Sequence, residues 1–472
     1  MPLGKNILSD IRFWILAFFL VRLFGITNPP LEIGHNWRQT TVTMVARNFL
    51  EVDNDILYPR VDMAGEKTGI TGMEFPVINY MIFAISELCG YEHWYGRLLN
   101  LIISSFGVWF FYVLIRKYFH ENIAFPSAII LLVSIWFQYS RKIMPDTFSV
   151  SFIHAGMYFG TQYLDSSHRK YSLQYLIFST VFVSIGVLAK LPSGYLLVVF
   201  VLFLADKSVP NRRKLLFSGL TLLAILPAAY WYFLWVPHLV ERYGYWHFFM
   251  GQDLLTGFQE IAQNVPETLK KFYDSALKFV GFGVFLFGAF CVWKTRNVKL
   301  ALIFFFLLLS FSVVVVKAGR TFVFHDYYII PFVPIMALIA GYGIFMVRRR
   351  WLSRLMLLVI SIEGIANQYH DFFIRDKEMG ILQLESDLDK VSDRSDLILI
   401  NSGNYPTPLY FAHRRGWVLP SEDLANPDKL DSLSSLGLKY VVVLKRTFGS
   451  EVKVDGANRV IDNSDYTIYR VR

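Results

Sequence analysis

Apolar residues run in long stretches through the first three-quarters of the chain, separated by short polar segments. A bilayer's hydrocarbon core takes about 20 apolar residues as a helix, so stretches of roughly 17–25 read as membrane spans. The pattern predicts about eleven, at 13–27, 97–115, 123–139, 148–164, 173–189, 191–205, 215–236, 276–293, 300–316, 329–347 and 355–367. A transmembrane barrel would show short alternating segments instead. The run 76–89 is apolar but too short to span, and reads as an interfacial or re-entrant helix. The first run follows Lys5 and Arg12 and precedes Asn28-Pro29-Pro30 with no small-residue cleavage site, so it reads as an uncleaved span.

The connections alternate in character. One set is plainly basic: Arg116-Lys117, Arg169-Lys170, Lys207 with Arg212-Arg213-Lys214, Lys294 with Arg296 and Lys299, and Arg348-Arg349-Arg350 with Arg354. Cytoplasmic loops collect Lys and Arg, which places these loops and the N-terminus inside and the residues near 76–89 on the outer surface. The other set then lies outside. It includes a long loop, 28–96, with helical spacing at 37–50 and a turn-rich piece at 53–73. A second outer segment, 237–275, carries Tyr243, Tyr245, Trp246, Phe248 and Phe249, and a short helix from Phe258 to Asn264 stopped before Pro266. It reads either as packing on lipid headgroups or as a lid.

From about 368 the apolar runs shorten and charge rises. Strands are predicted at Leu397–Asn401, Gly416–Leu419, Tyr440–Leu444 and Tyr466–Arg470, with helices at Thr407–His413 and Asn426–Leu436 between them. The expected architecture is a polytopic α-helical membrane domain over 1–367, including the outer loop 28–96, followed by a small extracytoplasmic α/β domain over 368–472 with a partly parallel sheet. Ser402-Gly403-Asn404 reads as a tight strand-to-helix connection rather than a phosphate cradle.

Composition agrees with a bilayer partner. The 472 residues are 54% hydrophobic and only 18% charged. The net charge of +9 follows from the cytoplasmic loops and does not point to nucleic acid. Two cysteines, Cys89 and Cys291, make neither a disulfide framework nor a thiolate metal site.

Candidate chemistry gathers in the outer connections. Arg141, Lys142, Lys190, Lys317 and Arg320 sit at the outer edge, where single residues would snorkel but a group beside acids and histidines suits the phosphate of a lipid carrier. Arg22 fits the same idea or pairs with a neighbouring carboxylate. Transfer of a sugar to a hydroxyl or amine needs a carboxylate as base and cations at the leaving phosphate. Glu32, Glu74 and Asp146 are the available carboxylates; Arg38, Arg141, Lys190 and His325 are the available cations or donors. Each has a plain alternative: Asp146 as a helix cap or a divalent-ion ligand, Glu74 as a helix-dipole partner. His325-Asp326-Tyr327-Tyr328 suits a sugar phosphate or a polar-aromatic belt. His35, His325 and a carboxylate are conceivable zinc ligands, but no tight spacing supports a metal, and no organic cofactor is expected.

In order along the chain stand His35-Asn36-Trp37-Arg38-Gln39, Ala46-Arg47-Asn48-Phe49, Tyr58-Pro59, Glu74-Phe75-Pro76, Arg97-Leu98, Arg141 to Asp146, Lys190, and His325-Asp326-Tyr327-Tyr328 with Pro331. This ordering resembles the GT-C superfamily of polyprenyl-phosphate-dependent glycosyltransferases, and within it the bacterial family 39 type that includes relatives of protein O-mannosyltransferases and the lipid A aminoarabinose transferase. The resemblance covers roughly 10–370. It implies inverting transfer of a sugar from a polyprenyl-phosphate carrier to an envelope glycan, lipid or protein on the non-cytoplasmic face of the cell membrane. It also implies an acid in the first outer loop as base. In such sequences an Asp often follows Trp-Arg-Gln; here Thr40 and Thr41 stand there, leaving Glu32 and Glu74 as candidate bases, with Asp146 as the second-loop acid. Lys190 and Arg141 would hold the phosphate, and His35, Trp37, Arg38, His325, Asp326, Tyr327 and Tyr328 would contact substrate. The rival readings are a lipid-linked sugar transporter or flippase, against which stands the lack of internal repeats and broken helix pairs, and a non-catalytic envelope assembly protein.

Overall fold

A computed structural model describes residues 7–165, 172–245, 251–449, 452–454 and 456–471. Lys5, the basic pair Arg169-Lys170 and the aromatics Trp246, Phe248 and Phe249 lie outside the described residues. The described chain is mainly helical, with one five-stranded sheet near its C-terminal end. It divides into two compact units. The first comprises Met1–Ile26, Arg97–Tyr232 and Phe249–Tyr369; the second comprises Thr27–Gly96, Phe233–Phe248 and His370–Arg472.

The first unit is built from helices. Among the described residues of the chain, six helices are long and apolar enough to cross a bilayer: Tyr95–Tyr118, Ser172–Ala189, Asn211–Tyr243, Lys278–Thr295, Val298–Ala318 and Asp326–Met346. The other predicted spans are also helical, as Ile11–Arg22, Glu121–Val133, Pro145–Leu164, Leu191–Ala205 and Arg350–Ala366. One differs from its expected course. The stretch 123–139 breaks at Ser134, which is extended, before a short helix Trp136–Tyr139. The Ser134 hydroxyl donates to the Leu131 carbonyl and accepts from the Trp136 amide, so a side chain replaces the helical ladder there. The break turns the chain into the segment that carries Arg141 and Lys142.

Small residues set the helix spacing in this unit, as expected where lipid supplies no hydrophobic drive. A Cβ on Gly288 would lie 2.0 Å from the Ile339 carbonyl oxygen, and one on Gly343 would lie 2.9 Å from the Gly288 Cα. These glycines let Lys278–Thr295 meet Val333–Met346 backbone to backbone. We expect Gly288→Val to separate the two helices and lower the thermal midpoint by several degrees, on the scale of about 3 kcal/mol of overpacking. Thermal unfolding in detergent followed by tryptophan fluorescence checks this; an unchanged midpoint would contradict the packing described.

The second unit joins distant pieces of chain around one sheet, ordered β2-β1-β3-β5-β4. The strands are β1 (Leu397–Ile400), β2 (Gly416–Val418), β3 (Leu438–Leu444), β4 (Asn458–Asp462) and β5 (Tyr466–Arg470). β1 runs parallel to β2 and β3, while β5 runs antiparallel to β3 and β4. Alternation along the strands sends side chains to two faces. Ile398, Ile400, Tyr440, Val442 and Ile468 pack with Met44, Val45 and Phe49 of helix Asn36–Glu51 and with Leu409. Leu399, Val441, Val443 and Tyr469 pack with Leu424, Leu430 and Leu433 on the other face. The four predicted strands are present; β4 was not foreseen. Its sequence, Asn-Arg-Val-Ile-Asp, is largely exposed at the sheet edge and has almost no apolar signature.

The short apolar run 76–89 becomes helix Val77–Cys89 in the second unit. Its buried face, Ile78, Asn79, Ile82, Phe83 and Ser86, meets helix Asn36–Glu51. Asn79 Nδ2 donates to the Val42 carbonyl at 2.8 Å, and Phe49 lies against Tyr80 and Phe83.

Candidate active site

The candidate residues assemble in two groups, one within each unit. In the helical unit Met144 is extended and Pro145 opens helix Pro145–Leu164. Pro is favoured at that position, and Asp146 therefore sits in the first turn, where a carboxylate meets the positive end of the helix dipole. Lys190 is extended between Ser172–Ala189 and the turn Leu191–Val199. Pro145–Leu164 and Ser172–Ala189 pack closely because a Cβ on Gly156 or Gly186 would collide with Val183 or with Ile153 and the Ser149 carbonyl. The Ser149 hydroxyl donates to the Gly186 carbonyl at 2.8 Å and to the Lys190 carbonyl at 3.4 Å. These contacts bring Lys190 Nζ to 3.0 Å from Asp146 Oδ1, with both side chains almost wholly buried. Desolvating two charges offsets most of their attraction, so such a pair is weak as a stability device and strong as a mark of function.

Aromatic rings enclose the ammonium. Lys190 Nζ lies 4.9 Å from the Tyr327 ring centre and 5.4 Å from that of Tyr328. His325 stacks on Tyr327 at 5.2 Å, and Tyr327 contacts Tyr139 at 6.4 Å. Asp326 turns to Lys271, whose Nζ lies 2.5 Å from its Oδ1. Arg141 Nη2 donates to the Gly25 carbonyl at 2.9 Å, Lys142 lies over Tyr139, and Arg22 donates to Ser140. A single carboxamide organises this turn. Asn100 Nδ2 donates to the carbonyls of Tyr139, Lys142 and Met144, and its Oδ1 accepts from Ser104 and Thr147. Arg22, Arg141, Lys142, Lys190 and Lys271 thus outnumber Asp146 and Asp326, an excess that favours an anion.

In the second unit Arg38 and Glu74 form a buried ion pair. His35 is in the left-handed conformation at the start of Asn36–Glu51, and its ring contacts Trp37 edge-on at 6.5 Å. Glu32 pairs its backbone with Ile374 and accepts from Asn28 Nδ2 at 3.2 Å. The Thr residues that replace the expected Asp are structural. Thr40 Oγ1 bonds to the Asn36 and Trp37 carbonyls and to Thr407 Oγ1 at 3.0 Å, and Thr41 Oγ1 donates to the Trp37 carbonyl. His35 and His325 fall in different units, and among the described residues no three His, Cys, Asp or Glu side chains gather as a metal site.

Several participants were not foreseen. Asn100 could have been noticed as a lone amide inside an apolar run. Lys271 carries no local signal, and its pairing with Asp326 is purely tertiary. Glu378 accepts from Asn36 Nδ2 at 2.8 Å, and burial pushes its carboxyl up despite Arg375, Lys377 and Asn36. The first turn of Asn36–Glu51 thus carries a second carboxylate from the C-terminal segment.

The far end of that helix is held by His413, which bonds Glu51 through Nε2 at 2.7 Å and Glu385 through Nδ1 at 2.8 Å. Burial raises both carboxyls, but His413 and neighbouring arginines outweigh it, so both lie below the ordinary Glu value. A depressed folded-state value adds stability above the unfolded value and loses it as pH falls through the folded one. We expect the second unit to be destabilised below about pH 4, and less steeply so in His413→Gln. Urea titrations at pH 7 and pH 3.5 check this; equal acid sensitivity in both proteins would refute it.

The first unit is mainly helical and holds the buried Lys190–Asp146 pair, and the second carries the sheet. Residues 73–231 match the family model described as dolichyl-phosphate-mannose-protein mannosyltransferase, which carries the enzyme class. No curated protein sequence matches. The fold is shared with ArnT from Cupriavidus metallidurans in the apo state, at 14% identity, 97% coverage of each chain and a TM-score of 0.58. It is also shared with the same protein bound to undecaprenyl phosphate, at 14% identity, coverage of 97% of this chain and 98% of that one, and a TM-score of 0.56. The archaeal oligosaccharyltransferase AglB from Archaeoglobus fulgidus, in complex with an inhibitory peptide and a dolichol-phosphate, matches at 12% identity over 92% of this chain and 69% of its own, with a TM-score of 0.56.

Proposed function

We propose that this protein transfers a sugar from a polyprenyl-phosphate carrier, with inversion, to an envelope glycan, lipid or protein on the non-cytoplasmic face of the cell membrane. The observation that carries this reading is the buried Lys190–Asp146 pair beneath Tyr327 and Tyr328. A charged pair is retained in an apolar bundle where an anion must be met, and Lys190 with Arg141 supplies the cations for a leaving phosphate. The family match and the undecaprenyl and dolichol phosphates bound by structural relatives support the same donor class.

Asp146 holds Lys190 and positions the reacting groups. Glu32 or Glu74 acts as base toward the acceptor, and Arg38 orients Glu74. Tyr327, Tyr328, His325 and Trp37 contact the sugar or its phosphate, with His35 and Asp326 beside them. Eleven spans with the N-terminus inside and residues 368–472 outside follow from the basic loops. The test is transfer from radiolabelled polyprenyl-phosphate sugars by purified protein in detergent, with a crude envelope extract as acceptor. Label in a product, lost in Asp146→Asn, supports the reading. Tight donor binding with no transfer from any donor overturns it.

A further inference from the structure

The helical unit contains a cavity of about 470 Å³. That is within the usual size of a small-molecule site, roughly 300–1,000 Å³. Phe111, Leu307, Ile335 and Leu338 line it, and Tyr118 and Lys299 stand among its polar groups. It lies away from the Asp146 cluster. Helix Tyr95–Tyr118 touches that cluster through Asn100 and lines the cavity from Phe111 to Tyr118. At 1.5 Å per residue the cavity wall starts about 17 Å from Asn100 along the helix, and its polar end at Tyr118 lies about 27 Å away. The segment that begins beside Lys190 lines the cavity from Leu196 to Asp206, and Lys190 itself is not part of the lining.

Three observations indicate what the cavity takes. First, its wall includes Val298 and Leu302, which are themselves exposed on the outside of the bundle, so it communicates with the surroundings of the helices. Where those surroundings are hydrocarbon, an apolar recess fills with chain rather than water. Second, Lys299 is fixed at the polar end. Its Nζ donates to the Tyr118 carbonyl at 3.1 Å and lies 4.9 Å and 5.1 Å from the ring centres of Tyr118 and Phe119. One bond to a carbonyl engages one of three N–H donors. Third, basic residues flank it along the chain: Arg116 and Lys117 precede Tyr118, with Lys117 paired to Asp165 at 3.2 Å, and Lys294 and Arg296 precede Lys299. Asp206, the carboxylate in the lining, accepts from the Ser208 amide within its own turn.

We propose that this cavity binds one acyl chain of an anionic glycerophospholipid, with the lipid phosphate on Lys299. The apolar wall takes the chain and the ring-braced ammonium takes the headgroup. The site is separate from the Lys190–Asp146 pair and belongs to the end of the bundle that carries the basic loops. A polyprenyl phosphate offers the same pairing of tail and phosphate, so the test must separate the two.

Wild type, Lys299→Glu, Lys299→Gln and the cavity-filling Leu338→Trp are purified and equilibrated in mixed micelles containing phosphatidylglycerol, phosphatidylcholine and undecaprenyl phosphate. Bound lipid is read by native mass spectrometry. Wild type should retain one phosphatidylglycerol in preference to phosphatidylcholine. Charge removal in Lys299→Gln should reduce that retention about fivefold, and reversal in Lys299→Glu further, in line with the attraction of one basic residue to an anionic lipid. Leu338→Trp should abolish retention; if it does not fold, the two Lys299 variants still decide. Sugar transfer by Lys299→Gln should match wild type. Equal retention of phosphatidylglycerol by all variants, no preference over phosphatidylcholine, or displacement of phosphatidylglycerol by undecaprenyl phosphate would overturn the proposal.

Discussion

Asp146→Asn should reduce transfer at least a thousandfold while leaving the protein folded. The substitution keeps shape and hydrogen-bonding reach but removes the charge that balances Lys190 at 3.0 Å. Breaking a buried pair by removing one partner costs about 3–5 kcal/mol, partly as stability and partly as misplacement of the remaining charge. Misplacing the cation that meets the leaving phosphate costs about 10²–10³ in rate on top. The double variant Asp146→Asn/Lys190→Met separates these effects. It should regain thermal stability relative to Asp146→Asn, because no unpaired ammonium remains, yet stay inactive. Donor binding measured by equilibrium dialysis should weaken in the double variant and persist in the single one. Full activity in Asp146→Asn would remove this pair from the mechanism.

The second large effect is expected at Arg38–Glu74. Glu74→Gln removes the carboxylate from a buried guanidinium and should lower stability by about 3 kcal/mol. Arg38→Met/Glu74→Met should recover much of that loss, since an apolar pair of similar volume suits the site. Activity tells the roles apart. If Glu74 is the base, Glu74→Gln loses the acidic limb of the kcat/KM profile and Glu32→Gln retains it; if Glu32 is the base, the reverse holds. Wild-type profiles in both variants would exclude both Glu32 and Glu74 as the base.

Some of this was readable in the chain. Apolar length located the helices, because a bilayer leaves few other ways to satisfy backbone polar groups. Short continuous apolar runs such as Tyr440–Leu444 located strands, because both faces of that sheet are buried. Polar groups out of keeping with basic loops located Asp146, Lys190 and Tyr327-Tyr328, which the fold then brings together. Pairings were not readable. Lys271 and Asp326 are 55 residues apart and Asn36 and Glu378 are 342 apart, and no local pattern encodes such distances. Nor could the sequence show that Thr40 is spent on a bond to Thr407. Edge strand Asn458–Asp462 was invisible because solvent, not a core, faces most of it.

That Thr40–Thr407 bond has a consequence in time. The two residues are separated by 367 positions, and Arg47 likewise waits for the Tyr410 carbonyl, 363 positions on. At about 5–20 residues per second, a ribosome needs roughly 20–70 s to make the intervening chain. Throughout that interval helix Asn36–Glu51 lacks the sheet against which Met44, Val45 and Phe49 are finally buried. The early segment is therefore made first and completed last. Its survival through synthesis depends on whatever shelters an apolar helix face for that interval, and a ribosome stalled before residue 397 would release a chain that cannot close this core.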